Sequence, residues 1–165
     1  MPGVFVNHWD SKSKNYDCIL KPTPGGYPHT TIVYIPEKYS PPRDVLFDLG
    51  RIVIDALPST VHIVDAFINS FYKESAGKNR HDVLLTLKEI PDIKRARTLL
   101  VATAKCDHKI SDETISHWSF HPKPHITVFS SYIKAEAMEC LAATQKELEK
   151  DGILHPIDIV GYNID

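Results

Sequence analysis

The chain contains 165 residues with a mass of 18.6 kDa, which is enough for one domain with a substantial hydrophobic core. Its formal net charge of −2 excludes the broad basic surface of proteins that bind long nucleic acids, but not a local site for a nucleotide. Three widely spaced cysteines (Cys18, Cys106 and Cys140) argue against a disulfide framework, and no apolar run is long enough for a signal peptide or a membrane span. We therefore expect a single domain over residues 1–165, in the cytoplasm.

The first half of the chain predicts two strands on either side of a helix. After a polar N-terminal segment, a loop rich in proline and glycine at 21–28 leads into a strand at about 29–35 that contains many β-branched residues. A helix is predicted to begin at Pro41-Pro42 and to end at Pro58, because apolar residues recur between them at helical spacing. A loosely alternating strand is predicted next, at 60–72.

The second half of the chain predicts further strands and helices. They are a turn at Gly77-Lys78-Asn79, a strand at about 82–90, a helix at about 92–105, a strand at about 125–131, a helix at about 134–150 and a final strand over 157–160. The side of the 92–105 helix that faces the core is predicted to carry Ile93, Ala96, Leu99, Leu100 and Thr103. An amphipathic helix follows each of the strands at 29–35 and 125–131, which gives the chain a weak internal repeat. The order of elements predicts an α+β domain with two antiparallel sheets and helices outside.

The most distinctive feature of the sequence is a repeated tetrapeptide. His-Thr-Thr-Ile at 29–32 returns as His-Ile-Thr-Val at 125–128, and a proline precedes each copy. Residues i and i+2 of a strand share a face. The first and third residues of each copy, a histidine and a threonine, are therefore predicted to point the same way. If the two strands lie near each other, two imidazoles and two hydroxyls converge on one small space. The four residues are His29, Thr31, His125 and Thr127.

Two histidines and two hydroxyls are suited to cleaving a phosphodiester. One imidazole can take a proton from the attacking water or hydroxyl while the other gives a proton to the leaving oxygen. Threonine hydroxyls can donate hydrogen bonds to the nonbridging phosphate oxygens, where charge builds up. A phosphodiester carries a single negative charge, so the pattern predicts a reaction that needs no metal and no cofactor.

The pattern resembles the 2H phosphoesterase superfamily, whose members carry two His-x-Thr-hydrophobic motifs. The approach to the second motif, Phe120-His121-Pro122 followed by Pro124, is also similar to that family, although extra residues intervene. The resemblance extends over the whole chain and implies a bilobal α+β domain, with two antiparallel sheets that line a central cleft, helices outside and a pseudo-two-fold axis. It also implies that the four motif residues are catalytic, and by analogy we assign His125 as the base and His29 as the acid.

The expected substrate is a small nucleotide, a cyclic phosphate or an RNA end, with no membrane and no obligate protein partner. Within the same family the alternatives include 2′–5′ oligoadenylates and cyclic oligonucleotide defence signals. Candidate substrate contacts are Lys123 for the phosphate charge, and Phe129, Tyr27 and Tyr162 for a base. Phe129 enters this set because it has the same strand parity as His125 and Thr127.

Other patterns in the sequence lead to competing predictions. His117, His121 and His125 are spaced four apart, as metal ligands on a helix would be, but Pro122 and Pro124 exclude a helix there. No cysteine lies in a motif that would activate a nucleophile. A module that binds a nucleotide or RNA end without hydrolysing it stays compatible with the sequence, as does a structural domain in which the repeat is coincidental.

Overall fold

The structure is a computed structural model that describes residues 3–10, 20, 28–88, 90–150, 152 and 154–165. Within these residues the chain forms an α+β fold, as predicted, with six strands and four α-helices. The strands are β1 (Gly3–Trp9), β2 (His29–Tyr34), β3 (Thr60–Lys73), β4 (Lys78–Leu87), β5 (His125–Ser131) and β6 (His155–Ile164). The helices are α1 (Arg43–Ala56), α2 (Ile90–Cys106), α3 (Asp112–Ser116) and α4 (Lys134–Lys150), with short 3-10 turns at Glu37–Tyr39 and Glu74–Ala76.

The six strands form one antiparallel sheet that closes on itself in the order β1-β2-β5-β4-β3-β6. Two separate sheets were expected, and the structure corrects this. One half of the sheet contains β6, β1 and β2, and the other contains β3, β4 and β5. Pairing between β2 and β5 joins the two halves at one seam, and pairing between β3 and β6 joins them at the other. The antiparallel character of the prediction is confirmed.

The helices cover one face of the sheet. Thr30, Val6 and Tyr162 occupy paired positions on β2, β1 and β6, so their side chains share a face. Gly50 of α1 packs on this face, where an added Cβ would lie 2.5 Å from ring atoms of Tyr162. A glycine is required there because helix and strand approach too closely for a larger side chain. A functional site on the sheet is therefore expected on the opposite face, which the helices do not cover.

Several element boundaries differ from those predicted. The polar N-terminal segment contains strand β1, which was not predicted. The alternation of apolar and polar residues does not reveal this strand, because polar His8 within it and Asp10 directly after it are buried. The long hairpin extends β4 back to Lys78, and Gly77 supplies the left-handed turn with φ of 64°. On α2 the predicted core residue Leu99 is 43% exposed, and Ala104 is buried instead of Thr103.

None of the helices formed by the described residues is long and apolar enough to cross a membrane. The loop predicted at 21–28 lies outside the described residues except for Pro28, which is buried.

Candidate functional site

The two motif strands are neighbours in the sheet, and one residue pair fixes how they align. Thr30 of β2 lies opposite Ile126 of β5, and both side chains are fully buried on the helix-covered face. A two-fold axis through the midpoint of an antiparallel pair carries each strand onto the other. In this register the axis carries His29 onto His125 and Thr31 onto Thr127. The sequence repeat therefore coincides with a local two-fold of the structure.

The four motif side chains share the face opposite the helices, which we call the motif face. His29 and Thr127 are exposed, and Thr31 and His125 are half-buried, while the residues between them are buried. The register places His29 opposite Thr127 and Thr31 opposite His125. The two imidazoles are then diagonal neighbours, and such positions have Cα atoms about 7–8 Å apart.

The next strands outward add side chains to the motif face that the sequence did not indicate. Asn7 and Phe5 of β1 lie opposite His29 and Thr31, and the Phe5 ring meets the His29 ring edge-on at 5.2 Å between centroids. On the other side Thr86 of β4 lies opposite His125. Asn7 and Phe5 were missed because β1 was not predicted. Once β1 is known to be a strand, its alternation and its pairing with β2 identify them.

His125 is oriented by the peptide that precedes its strand. Its Nδ1 lies 3.0 Å from the carbonyl oxygen of Lys123, and a carbonyl can only accept, so Nδ1 carries the hydrogen. In the neutral ring the lone pair is then on Nε2. The His121 ring packs edge-on against His125 at 4.7 Å, and its Nδ1 lies 2.8 Å from the same carbonyl. His121 is thus a neighbour of the motif, although its spacing alone gave no reason to include it.

Behind the first motif, a buried histidine holds the strand from the helix-covered face. His8 is 1% exposed, and its Nε2 forms a 2.8 Å hydrogen bond with the hydroxyl of Thr30, the residue between His29 and Thr31. Burial lowers the pKa of His8 from 6.5 to about 4, and the nearby His29 contributes in the same direction. His8 is therefore neutral at pH 7.

This burial predicts how stability depends on pH. Between pH 6.5 and about 4 the unfolded chain protonates His8 and the folded protein does not, so the free energy of unfolding falls as the pH falls. We expect His8 to contribute a loss of about 2 kcal/mol between pH 7.5 and 4.5. Urea unfolding at several pH values should give a shallower slope for His8→Gln than for wild type. Equal slopes would contradict the prediction.

Arg97 of α2 ties the first motif to the segment that precedes the second. Its Nε donates to the carbonyl of Ile32 at 2.8 Å and its Nη2 to that of Thr31 at 3.2 Å. Its Nη1 donates to the carbonyl of His121 at 2.6 Å. One guanidinium therefore fixes the spacing between the two motif-bearing segments from behind, and nothing in the sequence pattern pointed to it.

The four predicted substrate contacts have different outcomes. Tyr162 is corrected, because its ring packs against Gly50 of α1 on the helix-covered face, away from His29. The reason given for Phe129 does not hold, since a register shift pairs Phe129 with Val83 and Thr127 with Leu84, so strand parity breaks between them. Lys123 is exposed and its observed contacts with histidines use its backbone, so a role for its ammonium group stays a prediction. Tyr27 lies outside the described residues.

Among the described residues, no group of three His, Cys, Asp or Glu side chains is arranged to hold a metal ion. No protein-family model matches the chain, and no curated protein matches it significantly. Function is therefore inferred from the geometry of the motif face.

Proposed function

We propose that the protein is a metal-independent phosphodiesterase that hydrolyses a cyclic phosphate or a 2′-linked nucleotide through His29 and His125. The observation that carries the proposal is the register of β2 against β5. A shift of one residue in either strand would turn one histidine and one threonine to the opposite face. The pairing of Thr30 with Ile126 is the alignment in which both motifs share a face and a two-fold axis relates them.

The proposed reaction divides the proton transfers between the two rings. Nε2 of His125 takes a proton from water, the water oxygen bonds to phosphorus, and the bond from phosphorus to the leaving oxygen breaks as His29 donates a proton to that oxygen. The carbonyl of Lys123 supports His125 as the base, because it fixes the tautomer with a lone pair on Nε2. The hydroxyls of Thr31 and Thr127 donate to the nonbridging oxygens.

The arrangement of strands and helices supports a bilobal fold of the 2H phosphoesterase type. The local two-fold axis exchanges β2 with β5, and continuing along the sheet it exchanges β1 with β4 and β6 with β3. Helix α1 packs on β1 and β6, and α4 packs on β3, β4 and β5, so each half carries the helix that follows its motif strand. On this proposal the motif face lines a cleft between two related lobes.

The proposal is tested by turnover at neutral pH in the presence of EDTA. The substrates would be nucleoside 2′,3′-cyclic phosphates, ADP-ribose 1″,2″-cyclic phosphate, 2′–5′ oligoadenylate and cyclic di- and trinucleotides. Hydrolysis of one class by wild type supports the proposal and names the substrate. Absence of turnover across the panel, with binding of the same compounds measured by calorimetry, would favour a binding module instead.

Arg97 should matter for the rate because it sets the spacing of the motif segments through three backbone carbonyls. We expect Arg97→Met to lower kcat by roughly tenfold to a hundredfold, because small misplacements of catalytic groups have effects of that size. KM should change much less, and Arg97→Lys should recover part of kcat by restoring one donor. The neighbouring Arg95→Met, which loses only an exposed pair with Asp92, is the control. A parallel change in both kinetic constants, or none, would argue against a positioning role.

A further inference from the structure

A cavity of about 620 Å³ lies on the other side of the segment that precedes the second motif. Its apolar wall is formed by Val101 of α2 and by Phe120, Pro122 and Pro124 of that segment. The His121 ring of the same segment contacts His125 instead. Segment 120–124 thus separates two distinct surfaces, the motif face and what we call the helix–loop cavity. The volume of this cavity is in the range of sites for small organic ligands, which are mostly apolar with a few polar groups.

The charged residues that line the helix–loop cavity are both cations, Lys94 and Arg97. Arg97 is half-buried, and its three hydrogen bonds all go to backbone carbonyls. Within the described residues it has no carboxylate partner, and its contacts are with peptide carbonyls and the Phe120 ring. Burial without such a partner lowers the pKa of Arg97, although an arginine stays protonated. Two of the five guanidinium N–H groups are left over after the three carbonyls are counted.

An anion would satisfy this charge, and the apolar wall would accept a flat ring attached to it. The guanidinium carbon of Arg97 lies 6.0 Å from the centre of the Phe120 ring, so the cationic and aromatic parts of the wall are adjacent. Rings stack on aromatic side chains and on guanidinium planes, and charge-assisted hydrogen bonds to phosphate are among the strongest available to arginine. The two cations and the aromatic and apolar wall therefore point to one kind of occupant.

We propose that the helix–loop cavity is a second binding site, separate from the motif face, for an aromatic anion of the size of a nucleoside monophosphate. The anionic group lies between Lys94 and the unused N–H groups of Arg97, and the ring lies against Phe120 and the two prolines. This inference does not depend on the proposed hydrolysis, since it concerns the opposite side of segment 120–124.

The test is calorimetric titration of the full chain with AMP, UMP and 1-anilinonaphthalene-8-sulfonate, with adenosine and uridine as uncharged comparators. Thr98→Trp fills the cavity from an exposed position on α2, and Lys94→Glu reverses one charge. Lys146→Glu makes the same charge change on the exposed side of α4 and is the matched control. His125→Ala removes a motif histidine without changing any residue that lines the cavity. Circular dichroism and thermal melting establish that each variant is folded.

We expect wild type, Lys146→Glu and His125→Ala to bind at least one of the three anions with similar affinity. Lys94→Glu should weaken that binding about tenfold or more, which corresponds to loss of one charge-assisted contact. Thr98→Trp should weaken it by a similar factor, because the indole takes the space of the ligand's ring. The uncharged nucleosides should bind more weakly than their phosphates. Failure of all three anions to bind would overturn the proposal. Binding that His125→Ala abolishes and Thr98→Trp leaves unchanged would also overturn it, because the ligand would then occupy the motif face.

Discussion

Replacement of either motif histidine with alanine is expected to lower turnover by about a hundredfold to ten-thousandfold while the protein stays folded. The imidazoles of His29 and His125 lie on the motif face and the neighbouring core residues Thr30 and Ile126 do not change, so the helix-covered core is preserved. On the proposed mechanism, each substitution removes one proton-transfer group and leaves the other in place. The measurement is kcat on the substrate that wild type hydrolyses, with unfolding curves for each variant.

The pH profile distinguishes the two roles. A base must be deprotonated to act and an acid protonated, so a wild-type profile that falls at both low and high pH is expected. Residual activity of His125→Ala should lose the fall at low pH, and that of His29→Ala should lose the fall at high pH. The reverse pattern would exchange the roles without affecting the two-histidine mechanism.

A histidine elsewhere provides the control for these variants. His117 is exposed and stacks on the Tyr39 ring at 3.9 Å, so His117→Ala removes an imidazole of the same kind from outside the motifs. It should retain turnover close to that of wild type. If His117→Ala were as inactive as the motif variants, or if the motif variants kept full activity, the mechanism would be wrong.

The largest expected effect on stability comes from Asp10→Ala. Nε2 of His155 lies 2.9 Å from the Asp10 carboxylate, and the two side chains are 4% and 0% exposed. Asp10→Ala removes the carboxylate that bonds this buried imidazole, and loss of one partner from a buried pair of this kind costs about 3–5 kcal/mol. Urea unfolding at pH 7 measures the change. Asp10→Asn, which keeps an acceptor oxygen, should lose less.

The position of this pair explains why so much depends on it. His155 is the first residue of β6 and pairs with β3, whereas Asp10 directly follows β1, which pairs with the later part of β6. The pair therefore lies at the seam where the first residues of β6 pair with β3 of the other half of the sheet. Asp92→Ala, which removes only the exposed pair with Arg95, should cost less than about 1 kcal/mol. A loss for Asp10→Ala as small as that of Asp92→Ala would contradict the expectation.

Local pattern was sufficient to predict most elements and the orientation of the motif side chains. The alternation of exposed His29, buried Thr30 and half-buried Thr31 is that of a strand with one covered face, as expected from sequence. The partner of each strand is a non-local property, so the pairing of Thr30 with Ile126 could not be derived from spacing. Phe129 shows the limit of parity arguments, because one irregular step in the pairing of β4 with β5 invalidates the count.

Residues whose importance depends on backbone contacts were also beyond reach of the sequence. Arg97 was one of several helix cations, and it is distinguished only by the three carbonyls that it reaches in the fold. His121 was set aside because prolines exclude the helix that would give its spacing a meaning, yet its ring lies 4.7 Å from the His125 ring in the fold. Strand β1 was missed for a related reason. Its polar residue His8 is buried because it has a partner in the core.

The proposed catalytic pair, His29 and His125, is related by a two-fold axis and so has no inherent direction. Rotating a phosphodiester by half a turn between His29 and His125 would offer each of its ester oxygens to the other ring, so the pair alone does not select which bond is broken. The choice of bond must come from residues near the two histidines that the two-fold axis does not relate to each other. Phe5 packs against the His29 ring, whereas the carbonyl of Lys123 bonds the His125 ring. Asn7 lies opposite His29, and the equivalent position opposite His125 is Thr86. On the proposed reaction, these unequal neighbours decide which of the two ester bonds to phosphorus is broken, and so which ester oxygen keeps the phosphate.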